Sequence, residues 1–130
     1  MDREFERFRG GPNEPLSKRV YVTISKNNAI VFNQNAFQLM GRPEAVFLNY
    51  SRKRDIIAME PTSPRFNDSF PVVKNGAGFR VNAAPFCQHF NITIDQTIKF
   101  ITPEFTEGAL HLTLGATINI KRKRRRKNER

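Results

Sequence analysis

The last ten residues of this 130-residue chain, KRKRRRKNER, hold its densest group of side chains that can bind a ligand. They include eight basic residues and one acidic residue, so they carry +7 of the net +10 charge. Consecutive cations repel one another and do not pack into a fold of their own. They can neutralise phosphates and release counterions, which gives salt-dependent binding to nucleic acid without sequence recognition. The predicted phosphate-binding residues of this tail are Lys121, Arg122, Lys123, Arg124, Arg125, Arg126 and Lys127.

Three other interpretations of the tail stay open at this point. The same residues suit a nuclear localisation signal, attachment to an anionic membrane surface, or a terminus that only improves solubility. Residues 20–120 carry a net charge of only +2, so the high isoelectric point is mainly a property of the tail. The overall charge therefore does not predict nucleic-acid binding by the rest of the chain.

A second, smaller basic cluster lies between two predicted strands. Arg52, Lys53 and Arg54 would project from a hairpin tip and supply further phosphate contacts, the alternative being an ordinary solvated turn. Tyr21 and Tyr50 can stack on bases, although packing within strands is the alternative role for both. Other cations in the strands and loops are isolated along the sequence: Arg42, Arg80 and Lys99.

The sequence contains no arrangement that predicts catalysis. His89 and His111 are isolated, and no histidine or cysteine has a partner at metal-ligand spacing. Cys87 stands beside Phe86 in a predicted helix, where a small core residue is expected rather than a nucleophile. Phosphate-binding loops and dinucleotide-binding motifs are missing from the sequence. We therefore expect a non-enzymatic protein without a metal, a cofactor or a small-molecule substrate.

Cysteine usage and hydropathy bear on the compartment. A single cysteine cannot form an internal disulfide, which is typical of a reducing environment. The first residues lack the apolar run of a signal peptide, and no stretch approaches the roughly 20 apolar residues of a membrane helix. We expect an intracellular protein of the cytoplasm or nucleoid, with the nucleus and a virion as alternatives.

Alternating apolar residues predict the elements of the first half of the chain. Residues 1–18 are expected to form a flexible arm, because charges alternate with phenylalanine before a GGPNEP segment. Residues 19–61 then show two strands, a short helix over residues 34–40, and two more strands. Asn33 is expected to cap the helix and Gly41 to end it. Pro61 is expected to stop the fourth strand.

The second half repeats this order of elements. After a linker at residues 62–69, residues 70–120 place Asn82 and Phe86 where the first half has Asn33 and Phe37, without a gap. Residues 98–100 form a strand, a loop is expected around residues 103–108, and alternation over residues 110–120 predicts one long final strand. We expect an internal duplication, each copy β-β-α-β-β, packed as one domain and followed by a disordered basic tail at residues 121–130. The alternative is an ordinary α+β domain whose two halves share a motif by coincidence.

The first copy resembles the AbrB-type swapped-hairpin fold, which includes transition-state regulators, antitoxins and double-repeat MraZ proteins. The resemblance rests on Ile30-Val31-Phe32, the helix ended by Gly41, residues 46–50 and residues 56–61. It implies a mostly β protein with two short helices, whose hairpins interleave into a barrel, and it implies DNA as a partner. Members usually have Gly-Arg before the second strand and proline after it, positions that read Asn28-Ala29 and Asn33 here. Most cations that members present to DNA are missing as well.

These observations predict a nucleic-acid-binding protein, either a regulator or a genome-associated factor, that contacts DNA or RNA through its tail. The alternative is a structural subunit of a virion or another large particle, suggested by the long final strand and by a core rich in phenylalanine; a homo-oligomer is open in both cases. The expected core consists of Val22, Ile24, Ile30, Phe32, Phe37, Leu39, Val46, Leu48, Ile57, Phe79, Val81, Phe86, Phe90, Ile98, Phe100, Leu110, Leu112 and Leu114.

Overall fold

Short strands dominate residues 19–120, the part of the chain that the computed structural model describes. The strands are β1 (Val22–Ile24), β2 (Ala29–Phe32), β3 (Ala45–Ser51), β4 (Ile56–Thr62), β5 (Phe70–Pro71), β6 (Val73–Asn75), β7 (Gly78–Asn82), β8 (Ile98–Phe100), β9 (Glu104–Thr106), β10 (Ala109–Thr113) and β11 (Thr117–Asn119). The helices are α1 (Gln34–Leu39) and α2 (Ala84–His89). The prediction of a mostly β protein with two short helices is confirmed.

The strands form two separate sheets. Sheet A has six strands in the order β11-β8-β1-β2-β7-β6, and sheet B has five in the order β5-β3-β4-β10-β9. Each sheet ends in edge strands, so the described residues do not close into the expected barrel, and that part of the prediction is wrong. The chain passes between the sheets several times, which places elements of both halves of the sequence in each sheet.

In both sheets, a strand of the first half of the chain pairs with a strand of the second half. In sheet A, β2 and β7 are antiparallel, with Ile30 opposite Val81 and Phe32 opposite Phe79. In sheet B, β4 and β10 are antiparallel, with Met59 opposite Leu110. In sheet A, β2 belongs to the hairpin β1-β2 and β7 to the hairpin β6-β7. In sheet B, β4 belongs to the hairpin β3-β4 and β10 to the hairpin β9-β10. Both sheets thus show the same arrangement of two hairpins.

The inward faces of the sheets share one core. Val22, Ile30 and Phe32 of sheet A belong to the same buried cluster as Ile57 and Leu110 of sheet B. Each such side chain contributes about 1.5–3 kcal/mol when it is fully buried. Several residues of the expected core are only half-buried: Phe37, Leu48, Phe90, Ile98 and Leu114. The expected core residue Leu39 is exposed, because the buried side chains here are Ala36 in α1 and Met40 directly after it, four residues apart.

The two helices begin differently. The Asn33 side chain accepts a hydrogen bond from the Ala36 amide at 3.0 Å, as predicted for a cap, and Gly41 ends α1 with a φ of +85°. In α2 the cap position is Ala83, without a side-chain cap. The amide of Phe37 donates to Asn33 and that of Cys87 donates to Ala83. Cys87 is therefore the counterpart of Phe37, so the gapless match of the two halves is wrong by one residue.

The strand predictions fail at three places. Residues 110–120 form two strands rather than one, with a turn in which the Ala116 amide donates to Thr113, and these strands lie in different sheets. The expected loop around residues 103–108 contains β9. Pro61 lies inside β4 instead of stopping it. The pairing of β4 with β10 ends at Met59, so β4 has no partner strand on that side at Pro61. Proline is tolerated at such an edge.

Two of the predicted segments, the arm at residues 1–18 and the tail at residues 121–130, lie outside the described residues.

Within residues 19–120, both helices are six residues long, and neither has the length or apolarity that crossing a membrane requires.

Candidate nucleic-acid interface

Charged side chains are divided between the two sheets. The strands of sheet A contain Lys74, Arg80 and Lys99 and no carboxylate. The strands of sheet B contain Glu60 and Glu104 and neither lysine nor arginine. Like charges gathered on one sheet produce a local potential of their sign. Among the strands themselves, those of sheet A therefore offer the more favourable surface to a polyanion.

The outer face of sheet A is formed by the side chains that alternate with its buried residues. One row crosses all six strands in register: Ile118, Lys99, Thr23, Val31, Arg80 and Val73. Arg80 stands between the buried residues Phe79 and Val81, which fixes its outward direction. Three strand spacings, about 14 Å, separate the strands of Arg80 and Lys99. The two cations can thus contact different phosphates of one ligand.

Tyr21 precedes β1 and lies on this outer face. The residue is 40% exposed, and the Lys99 ammonium lies 5.0 Å from the centroid of its ring. A cation at this distance over an aromatic ring is attracted to the electron-rich face of the ring. The contact keeps an aromatic surface and a positive charge side by side.

Asn33 holds the segment that carries Tyr21. Besides capping α1, its side-chain oxygen accepts a hydrogen bond from the Tyr21 amide at 3.2 Å, and its amide group donates to the Arg19 carbonyl at 2.8 Å. Asn35 donates to the same carbonyl at 2.9 Å. These bonds hold the backbone on both sides of Val20, including the residue from which the Tyr21 ring projects.

Two hollows adjoin the Tyr21 ring. On the side of β2 and β7, Tyr21 borders a hollow with Thr23, Val31, Asn33 and Gly78. The second hollow is lined by Arg19, Val20, Tyr21, Asn33 and Lys99. A side chain at Gly78 would place its Cβ 2.6 Å from the Phe32 carbonyl oxygen, so only glycine fits there while β2 and β7 keep this spacing.

A carboxylate marks the boundary of the outer face. Glu104 of sheet B lines a further hollow together with Arg19, Lys99 and Ile101. An anion at this position opposes the approach of a phosphate near Lys99. The cationic character of the outer face is therefore strongest from Lys99 towards Arg80, away from Glu104.

The predicted cluster of Arg52, Lys53 and Arg54 lies at the tip of the β3-β4 hairpin, and all three residues are exposed. The Arg52 guanidinium lies 5.3 Å from the centroid of the Phe90 ring, just after α2. The tip belongs to sheet B, and the two hollows beside Tyr21 do not include it. The structure thus places the tip apart from the row of Lys99 and Arg80.

Tyr50 supports this hairpin tip. Its hydroxyl donates a hydrogen bond to the Asp55 carboxylate, which closes the base of the tip. That hydrogen bond, and then burial, raise the pKa of Tyr50 above its ordinary value. The Tyr50 ring also packs on Phe86 and Phe90, at centroid distances of 6.4 and 5.2 Å. Of the two tyrosines, Tyr21 is the one that lies beside the cations of sheet A.

The seven predicted tail residues, Lys121 to Lys127, lie outside the described residues, but their point of attachment is defined. Ile120 follows β11, and its amide donates to the Thr97 carbonyl at 3.0 Å, at the edge of sheet A. The basic segment therefore begins next to the sheet whose strands carry only cations.

Cys87 is the residue that sequence analysis weighed as a nucleophile against a core residue. The Cys87 thiol is buried, as predicted for a core residue, and burial raises its pKa to about 11. Such a thiol is mostly protonated and weakly nucleophilic at neutral pH. Within residues 19–120 no group of three or more histidine, cysteine, aspartate or glutamate side chains is placed to hold a metal ion.

No protein-family model matches this chain, and neither a curated protein nor a solved structure does. The charge separation thus has to be interpreted from the residues themselves.

Sequence analysis treated Arg80 and Lys99 as isolated charges. The signal that identifies them is alternation, because each is the single charged residue between two apolar residues that face the core.

Proposed function

We propose that this protein binds nucleic acid through the phosphates, using the basic tail at residues 121–127 together with Arg80 and Lys99 on the outer face of sheet A. The observation that carries the proposal is the separation of charge in the fold. Lys and Arg side chains occur in the strands of sheet A, carboxylates occur in those of sheet B, and the tail follows the edge strand of sheet A. A phosphate backbone attracted to the tail would therefore meet further cations on the adjoining sheet.

The hairpin tip at residues 52–54 is the second phosphate contact in this proposal. Its three cations are exposed, and Arg52 is partly held by Phe90. Since the tip lies on sheet B, it would contact a different part of the nucleic acid from the one on sheet A. Its contribution is expected to be smaller than that of the tail, because fewer phosphates are neutralised.

The fold proposed for this function is a duplicated swapped-hairpin unit of the AbrB type, with the copies at residues 19–61 and 70–120. The antiparallel pairing of β2 with β7, and of β4 with β10, supports it, since each pair joins strands at the same place in the two copies. The one-residue shift between α1 and α2 is a small departure from exact repetition. Residues 98–100 and 117–119 add β8 and β11 outside the repeated hairpins.

The alternative is a structural subunit of a virion or another large particle, which two features suggested. The core rich in phenylalanine is present, whereas residues 110–120 form two short strands in different sheets rather than one long strand. We propose nucleic-acid binding in preference to it because of the charge separation described above.

An electrophoretic shift assay tests the proposal directly. Full-length protein is compared with a variant ending at residue 120, on duplex DNA, single-stranded DNA and RNA at increasing salt. The variant is expected to lose most of its binding, and the rest should depend less on salt, because the tail carries seven of the proposed phosphate contacts. Equal binding by the two proteins would refute the role of the tail. A lack of binding by the full-length protein on all three nucleic acids would refute the proposed function.

A further inference from the structure

We infer that the outer face of sheet A is a platform for single-stranded nucleic acid, on which a base stacks on Tyr21 and the neighbouring phosphates contact Lys99 and Arg80. This inference rests on the proposed function and specifies its ligand. Single-strand binders combine a positively charged surface with exposed aromatic rings. The outer face of sheet A brings these two features together.

The surroundings of Tyr21 leave room for a base. Lys99 reaches the ring from β8, whereas the hollow bordered by Val31 and Gly78 lies towards β2 and β7. A base entering this hollow would approach the ring from the side away from Lys99. Gly78 lines the hollow without a side chain, and Asn33 accepts a hydrogen bond from the backbone amide of Tyr21 at its edge.

Charge then determines the chemistry of the occupant. The strands of sheet A hold no carboxylate, and the row through the outer face includes both Arg80 and Lys99. A cationic partner would be repelled by these two charges. A neutral apolar partner would cover them without pairing them, so that they would lose their hydration. A phosphate backbone pairs with them instead. A single strand satisfies both features at once, with phosphates for the cations and base faces for the ring.

A duplex cannot use Tyr21 in this way. Its bases are stacked on one another and present only their edges in the grooves. Stacking on Tyr21 is therefore available to single strands, while the tail attracts the phosphates of single and double strands alike. The inference thus predicts a difference between the two kinds of ligand that is localised to one ring.

The test uses full-length protein and fluorescently labelled oligothymidylate of about 12 nucleotides, a length within the usual site size of single-strand binders. Fluorescence anisotropy measures binding of this probe and of a duplex of the same length. Tyr21→Ala is expected to weaken binding of the single strand by about 5- to 100-fold. The duplex should be affected less than about twofold, and Tyr21→Phe, which keeps the ring, should bind the single strand like the unchanged protein.

A second measurement does not depend on the stability of the alanine variant. The protein contains no tryptophan and only two tyrosines, so Tyr50→Phe leaves Tyr21 as the single source of tyrosine fluorescence. Binding of oligothymidylate should quench this emission after correction for absorption by the probe. In Tyr21→Phe, where Tyr50 is the emitter, quenching should be much weaker. An oligouridylate probe shows whether RNA occupies the same face.

The outcomes separate this inference from the proposed function. If the full-length protein binds none of the three probes, oligothymidylate, the duplex and oligouridylate, the proposed function fails, and the inference fails with it. If both probes bind but Tyr21→Ala weakens them equally or not at all, and Tyr21 emission is unchanged by the single strand, only the inference fails. Selective loss of the single strand together with quenching of Tyr21 supports it.

Discussion

Tyr21 and Lys99 form a cation–aromatic contact of 5.0 Å on the outer face of sheet A, although 78 positions separate them in the sequence. The contact exists because β8 pairs with β1, with Lys99 opposite Thr23, two residues after Tyr21. The pairing places an isolated lysine next to an exposed aromatic ring. The same sheet places Arg80 two strands beyond β1 on the same face.

Neutralising Arg80 or Lys99 should weaken binding in proportion to the number of phosphate contacts that are lost. Arg80→Gln and Lys99→Gln should each reduce the slope of log K against log salt by about 0.7 for a single strand. Lys74→Gln is the matched control, because it removes the same charge from sheet A while its ammonium lies over the inward ring of Phe79, at 4.9 Å. Anisotropy titrations at several salt concentrations measure the slopes. Equal slopes for Arg80→Gln and Lys74→Gln would place the contacts elsewhere.

Removing the carboxylate at the boundary should have the opposite effect. Glu104 shares a hollow with Arg19 and Lys99, so Glu104→Gln should strengthen binding of oligothymidylate at low salt, by up to a few-fold. Glu60→Gln, which removes a carboxylate of sheet B outside this hollow, is the control and should change binding less. If Glu104→Gln weakens binding, phosphates do not approach Lys99 from this side.

Gly78 should be the most sensitive glycine of sheet A. In Gly78→Ala the new Cβ would lie 2.6 Å from the Phe32 carbonyl oxygen, a backbone atom that moves only if β2 and β7 separate. We expect a loss of about 1–3 kcal/mol in the free energy of unfolding. Gly115→Ala meets no atom within 4 Å, and its effect should stay within about 0.5 kcal/mol. Urea unfolding of both variants measures the difference, and similar values would contradict the close approach.

Asn33 should affect stability through its oxygen and its amide separately. Asn33→Ala loses the cap of α1 and both bonds to the segment at residues 19–21, so we expect a loss of about 1–2 kcal/mol. Asn33→Asp keeps the accepting oxygen and loses only the donor to Arg19, so it should cost less. Asn82→Ala, which removes a single bond of 3.3 Å, is the control. Thermal unfolding followed by circular dichroism ranks the three, and equal losses for Ala and Asp at position 33 would contradict the capping role.

Burial of Cys87 should make stability depend on alkaline pH. Because the folded protein holds the pKa of this thiol at about 11, above the value of 9.0 expected when the chain unfolds, folding favours the protonated form. This stabilisation is fully present below pH 9 and is lost as the pH rises through 11, for a total of about 2–3 kcal/mol. Urea unfolding across this range should show a steeper decline for the unchanged protein than for Cys87→Ala. Equal declines would mean that the thiol is not buried.

Local sequence signals predicted most of the individual elements. The alternation of Val22 and Ile24, the cap at Asn33 and the φ-permissive Gly41 report conformations that neighbouring residues determine, and the structure contains them. Most of the core was predictable for the same reason, since buried residues such as Ile30 and Phe32 alternate with outward residues. The exposed Leu39 was missed because a helix of six residues buries only a narrow side.

Pairing between distant strands was not predictable from these signals. Alternation over residues 110–120 is the same whether the residues form one strand or two strands in different sheets, and only the turn after Thr113 separates β10 from β11. Alternation did not predict β9, because two of its three residues, Glu104 and Thr106, are polar. In the structure, Glu107 and Gly108 adopt φ values of +52° and +79°, which suit the tight hairpin turn between β9 and β10. The candidate interface depends on such pairing, so the sequence offered Tyr21, Arg80 and Lys99 only as separate residues.

The salt dependence of binding tests the central claim most directly. Anisotropy titrations of oligothymidylate compare full-length protein with a variant in which all seven cations of residues 121–127 are glutamine, so that the length of the chain is unchanged. If the tail neutralises phosphates, the slope of log K against log salt should fall in magnitude by up to about 5. The remaining slope should decrease further when Arg80→Gln and Lys99→Gln are added. An unchanged slope in the glutamine variant would contradict the account.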